Sequence, residues 1–357
     1  MTFTITPHAS PVSVQTREKA LEDPGFGRVF TDHMVTLRWS AGRGWHDGKV
    51  TARAPIAIDP AASVLHYAQE IFEGMKAYRT AKGDIVLFRP DMNATRFARS
   101  AERLAMPVIP EALFVQAVEE LVKIDKDWVP SGAGSLYLRP FMFASEAFLG
   151  VRPAQEYLFC VIACPVGPYF KGGDKPLKLW VSDKYTRAAP GGTGAAKCGG
   201  NYAASLIAQA EATEHGCDQV VFLDAAEHRW IEELGGMNLF FVMSDGSIVT
   251  PPLTGTILPG ITRNSIIEIA RDMGMKVTEA PYSMDQWRAD AESGKLSEAF
   301  ACGTAAVVAS VGEIVSSSGS FRVKNAQGAT VASKLKEQLV GIQKGSIGDS
   351  RGWVRKI

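Results

Sequence analysis

Pro190-Gly-Gly-Thr-Gly-Ala-Ala-Lys-Cys-Gly-Gly-Asn-Tyr202 surrounds one lysine, Lys197, with glycine and leads straight into a helical pattern over 201–214. A phosphate-binding Walker loop needs glycine immediately before the lysine and a hydroxyl residue immediately after it. Ala196 and Cys198 hold those places, so that reading fails. A dinucleotide fingerprint needs a strand feeding the glycine turn. The residues before Gly191 are instead the polar run Asp183-Lys-Tyr-Thr-Arg-Ala-Ala-Pro190. Composition alone also fits a surface loop with a solvated lysine. The position adds something: just ahead of a helix start, backbone N–H groups and the helix dipole disfavour a positive charge. That placement suits a neutral amine for carbonyl attack, so a Schiff-base lysine stands beside the surface-loop reading.

Two further stretches carry chemistry. In Ile231-Glu-Glu-Leu-Gly-Gly-Met-Asn-Leu239 a pair of carboxylates precedes a glycine turn and an apolar strand. One carboxylate can enter a pocket, or both can lie in an exposed acidic turn. Leu258-Pro-Gly-Ile-Thr-Arg-Asn-Ser265 is a turn opening a helix, which either presents N–H groups to an anion or is simply capped.

The rest of the chain frames these segments. Its 357 residues, with 38 Lys+Arg against 38 Asp+Glu, 46% hydrophobic and 21% charged, describe an ordinary globular protein. At about 150 residues per domain, two domains are expected. Zero net charge removes the broad attraction for nucleic-acid backbones or an anionic membrane, so the expected partner is a small molecule. Five cysteines without C-x-x-C spacing suggest neither a disulfide framework nor a zinc ribbon, and point to a reducing compartment. With no apolar h-region near Met1, the expectation is a cytoplasmic protein.

Periodicity predicts helices over 93–105, from Pro110 to Ile124, over 201–214 and over 263–273. Short apolar runs predict strands over 157–166, 177–181, 219–223 and 238–243, with Ser244-Asp-Gly-Ser247 as a hairpin turn. Glycine and proline break both periodicities over 167–177. A small N-terminal domain (1–166), a linker (167–177) and a larger C-terminal domain (178–357) are therefore expected.

Taken together, the chain resembles the branched-chain amino-acid aminotransferases, pyridoxal-phosphate enzymes of fold type IV. The likeness runs through Phe26-Gly-Arg-Val-Phe-Thr-Asp-His-Met34, Leu65-His-Tyr-Ala-Gln-Glu-Ile-Phe-Glu-Gly74, Ser135-Leu-Tyr-Leu-Arg-Pro140 and Pro165-Val-Gly-Pro-Tyr-Phe170. It continues through 191–202, 233–238, 258–263 and Gly303-Thr-Ala305. The resemblance implies an α+β fold of two domains, the larger with a β-barrel-like core and a site for pyridoxal 5′-phosphate. It also implies a homodimer with a shared active site. The implied reaction is reversible amino transfer between leucine, isoleucine or valine and 2-oxoglutarate. Relatives of the same fold, D-amino-acid aminotransferases and aminodeoxychorismate lyases, share the lysine and glutamate logic but not the aromatic pocket and extended N-terminal region.

By the same resemblance, Lys197 is the Schiff-base lysine and the catalytic acid and base, and Tyr202 bonds the cofactor's phenolic oxygen. Glu233 keeps the pyridine nitrogen protonated, which makes the ring a better electron sink. Arg96, the N–H groups of Ile261 and Thr262 and the Thr304 hydroxyl take the phosphate, with Arg187 close to the cofactor. Phe26, Tyr67, Phe72, Tyr137 and Tyr169 line the side-chain pocket, and Leu149 and Val151 are lent by the second subunit. Arg139 meets the distal carboxylate of glutamate directly or through a tyrosine, while backbone around Thr304 and Ala305 faces the α-carboxylate. Two departures stand out. Gly236 replaces a hydroxyl residue of some relatives, and Ala306 and Ala309 replace a C-x-x-C pair, leaving Cys302 alone in that segment.

Overall fold

A computed structural model describes residues 2–167, 175–324 and 330–357. The chain divides into two units. The first combines Met1–Tyr169 with Ala196–Gly199 and Gly341–Ile357; the second comprises Phe170–Ala195 and Gly200–Val340. Most of the expected linker, including Tyr169, lies outside the described residues.

The first unit is built on one sheet. Its strands run in the order Thr4–Ile5, Gly44–Ala52, His33–Ser40, Glu156–Val166, Ser135–Ala144, Met75–Arg79, Ile85–Phe88 and Val354–Lys356, and Glu70–Phe72 also pairs with Ser135–Ala144. Alternation along the strands sorts the two faces. Leu136, Leu138, Val35, Leu37, Phe159 and Val161 join a core with Phe97 of helix Pro90–Arg103 and Phe114 of helix Glu111–Ile124. Tyr137 and Arg139 alternate with those core residues and so point away from the helices. Phe97, Phe114 and Phe159 form a ring cluster with centroids 5.2 to 5.9 Å apart.

The second unit closes a ring of six strands. Ile231–Leu234 pairs with Gln219–Leu223, which pairs with Leu177–Ser182, then Val307–Ser316, Leu296–Gly303 and Asn238–Met243. The pairing of Glu233 with Asn238 closes the ring, giving the expected barrel-like core. Two of its six pairings are parallel, so the ring is mixed. Leu179, Val221, Leu234, Leu239, Phe241, Ala301 and Val311 belong to its core.

Most expected elements are present, with shifted ends. Helix Pro90–Arg103 starts earlier than its apolar stripe because proline at the first position needs no N–H partner. Helices Gly199–Glu214 and Ile261–Asp272 likewise begin two residues before their patterns, in glycine or turn sequence that periodicity does not register. Ser244–Ser247 does turn Asn238–Met243 into the antiparallel strand Ile248–Thr250, with Gly246 at φ +81°. Among the described residues, no helix is long and apolar enough to cross a membrane.

Candidate active site

In the first unit the lysine segment is pinned by its backbone. Lys197 N donates to Ser100 Oγ (2.9 Å), Lys197 O accepts from Phe72 N (2.9 Å), and Gly199 N donates to the Glu70 carboxylate. These bonds fix where the side chain starts, and Lys197 Nζ stands 4.7 Å from the centroid of the Phe72 ring. The amine is pulled down to about 8, first by burial and then by the positive charge of Arg96. The lowering has the expected direction, but these two causes are ones that the sequence does not display. Helix Gly199–Glu214 begins two residues later and carries Tyr202 in its first turn, half-buried.

Arg96 is held by a carboxylate that sequence reasoning left without a role. Its Nε donates to Glu73 Oε1 (2.7 Å) and its Nη2 to Oε2 (2.8 Å). Asn93 Nδ2 adds a third donor to Glu73 at 2.7 Å. Glu73 is wholly buried, so its charge depends on these partners; removing one partner of such a pair typically costs about 3–5 kcal/mol. The signal was present in Phe72-Glu-Gly74, an acid in an apolar strand end that requires a cation.

A cation and aromatic rings make up the substrate side. Arg139 lies 4.7 Å over Phe72 and donates through Nη2 to the Tyr137 hydroxyl (2.9 Å). Its buried Nε has no hydrogen-bond partner, so a donor is left for an anion. Phe26 meets Tyr137 edge-on at 5.0 Å. Gly74 packs flat against Tyr137, where a Cβ would collide with the hydroxyl. Lys197, Phe72, Arg139, Tyr137 and Phe26 therefore form one chain of contacts. Tyr67 lies apart from that chain, donating its hydroxyl to Leu149 O. Leu149 and Val151 are 60% and 83% exposed.

In the second unit, strand Ile231–Leu234 turns its two acids to opposite sides. Glu233 is buried and accepts from Leu258 N (3.0 Å) and Asn238 Nδ2 (3.3 Å), and pairs with Arg187 Nη1 at 3.0 Å. Arg187 in turn donates to Thr256 O (3.0 Å) and Gly194 O (3.2 Å), which fixes its fork. Arg187 is thus the partner of Glu233, a role its distance in sequence concealed. Asn238, unassigned by the sequence, also donates to Leu258 O at 3.2 Å. It joins the acid to the turn that opens helix Ile261–Asp272. Gly260 at that helix cap fits because a Cβ would strike the Asn238 side chain.

No side chain caps this helix, so the N–H groups of Ile261 and Thr262 are those of an open N-terminus. Thr304 and Ala305 sit half-buried in the turn between Leu296–Gly303 and Val307–Ser316. That turn follows Cys302, which lies opposite Asn238 in the ladder. Gly236 leaves open space where a side chain would project.

Comparison with known proteins now bears on this geometry. A family model described as amino-transferase class IV matches residues 70–314. The chain is 53% identical to the probable branched-chain-amino-acid aminotransferase of Streptomyces coelicolor, over 100% of this chain and 99% of that one. The crystal structure of the Escherichia coli branched-chain amino acid aminotransferase superposes with a TM-score of 0.74 at 29% identity, covering 89% of this chain and 98% of that one. The branched-chain aminotransferase of the thermophilic archaeon Thermoproteus uzoniensis, solved with norvaline, gives 0.74 at 26%, with 90% and 99% covered.

Proposed function

Because this chain belongs to the class IV aminotransferases, and within them to the branched-chain-amino-acid aminotransferases, we propose that it moves an amino group reversibly between leucine, isoleucine or valine and 2-oxoglutarate, with pyridoxal 5′-phosphate as cofactor. The observation that carries this reading is an amine at about 8 resting against the aromatic ring over which Arg139 is also stacked.

The donor set fits such a cofactor group by group. Lys197 offers an amine to an aldehyde carbon. Glu233, ion-paired to Arg187 and hydrogen-bonded twice more, offers a fixed negative charge to a ring nitrogen. The uncapped start of helix Ile261–Asp272 offers N–H donors of the kind a phosphate needs, and Thr304 and Arg96 are assigned to the same group by the family resemblance. Tyr202 is assigned to the phenolic oxygen. When bound, the cofactor supplies the electron delocalisation that makes a Cα proton removable.

The chain's own residues do the rest. Lowering the Lys197 amine to about 8 raises its neutral share near pH 7 roughly 200- to 300-fold. In that form Nζ takes the Cα proton of the bound amino acid and returns it in the reverse direction, a transfer worth about 10² to 10⁴ in rate. Arg187 pairs with Glu233, and Asn238 orients it. Phe26, Phe72 and Tyr137 are assigned to the branched side chain. The Arg139 Nε donor takes the distal carboxylate of glutamate, and backbone at Thr304 and Ala305 takes the α-carboxylate.

Leu149 and Val151, with the exposed Leu206 and Ile207, are assigned to contact with a second copy, making the enzyme a homodimer. Burying them is favourable at about 25 cal/mol per Å². The test is a panel of amino acids assayed with 2-oxoglutarate. Leucine, isoleucine and valine should lead the panel, and activity confined to D-amino acids would overturn the reading.

A further inference from the structure

A cavity of about 240 Å³ lies within the second unit, on the side of strand Ile231–Leu234 that Glu233 does not face. Its walls are mostly apolar, from Trp230, Ile257, Pro252 and Pro281, and Ala226 and Thr254 at the rim are exposed to solvent. At its base is Glu232, 7% exposed. We infer that this cavity binds a small organic ammonium ion, with Glu232 as its counter-ion and the ring and proline walls around its apolar body.

Glu232 receives a bond from Thr256 Oγ1. Among the described residues lining the cavity there is no Lys, Arg or His. Asp224, the other acid of the lining, is already engaged by the N–H groups of Ala226, Glu227, Arg229 and Trp230 at 2.7 to 3.1 Å. A buried carboxyl next to a second acid charge is pushed up by burial and by Asp224, and Thr256 and Arg187 only partly oppose this. An incoming cation supplies the opposite charge that the lining lacks, whereas an anion would meet two acids. Shape points the same way: an apolar cavity of roughly 150 Å³ is enough to hold benzene, so 240 Å³ admits a benzyl-sized or branched aliphatic body.

The cavity is a second site one residue from Glu233, since Thr256 bonds Glu232 through its hydroxyl and Arg187 through its carbonyl.

The test is calorimetric titration of the holoenzyme with N,N-dimethylbenzylamine, a tertiary amine that cannot condense with a cofactor aldehyde. One saturable site is expected, at least tenfold tighter than for benzyl alcohol. Glu232→Gln should weaken amine binding at least tenfold, and Ala225→Leu, which fills the cavity, should remove it with the thermal midpoint retained. If Glu232→Gln does not fold, Ala225→Leu and the benzyl alcohol comparison decide. No saturable binding, equal affinity for amine and alcohol, binding retained in Ala225→Leu, or displacement of the amine by leucine would each overturn the inference.

Discussion

Glu232 and Glu233 are adjacent, chemically identical and buried, yet the pleat sends them to different surroundings. Glu233→Gln keeps the shape but removes the charge that Arg187 was placed to meet. Turnover should fall by roughly 10²-fold with a much smaller change in cofactor retention, while Glu232→Gln leaves turnover within about twofold. Steady-state kinetics with cofactor absorbance measures both, and a reversal would shift the assignment by one position. The Lys197 amine gives a second prediction. Since it is pulled down to about 8, its reactive neutral form grows as pH rises to that value and levels off above it. The rate of pyridoxal phosphate uptake by the apoprotein should follow that curve, and borohydride reduction with peptide mapping should find the adduct on Lys197. Cys302 behaves oppositely: burial holds its thiol far above the ordinary range, so it offers almost no thiolate to oxidants. Mild peroxide should leave activity unchanged, and inactivation reversed by dithiothreitol would contradict this.

Strand Ser135–Ala144 carries Tyr137 and Arg139 two residues apart on one face, and the backbone at Gly74 fits against the Tyr137 hydroxyl only because it lacks a side chain. In Gly74→Ala the Tyr137 ring must move, taking with it the bond to Arg139. KM for 2-oxoglutarate should rise about tenfold or more while KM for leucine changes less, which a two-substrate assay separates. Much at this level was readable beforehand. Strands 219–223 and 238–243 announced themselves as apolar runs bounded by turns, and the glycine-rich turn before 201–214 marked Lys197. What stayed hidden was pairing at a distance. Glu73 with Arg96, Arg187 with Glu233, and Asn238 with Leu258 are bonds between segments 20 or more positions apart, which no periodicity encodes. Burial, the main cause of the Lys197 shift, likewise exists only once the chain has folded.

Leu149 and Val151 are 60% and 83% exposed, and their assignment to a second copy predicts that activity depends on association. Sedimentation across a dilution series, with activity measured in parallel, should show a dimer that loses activity on dissociating; full activity in a monomer would exclude the shared site. The sheet of the first unit takes its edge strand, Val354–Lys356, from the far end of the sequence, hydrogen-bonded to Ile85–Phe88, and the unit takes its lysine segment from the middle. The second unit occupies Phe170–Ala195 and Gly200–Val340, interrupted only by the short lysine segment. During synthesis the first unit, although begun first, must wait with one sheet edge open, and the second unit has all its strands in hand before that edge is covered. The earliest-made half of the protein is therefore the last to be finished, and it is the half that holds the reactive amine.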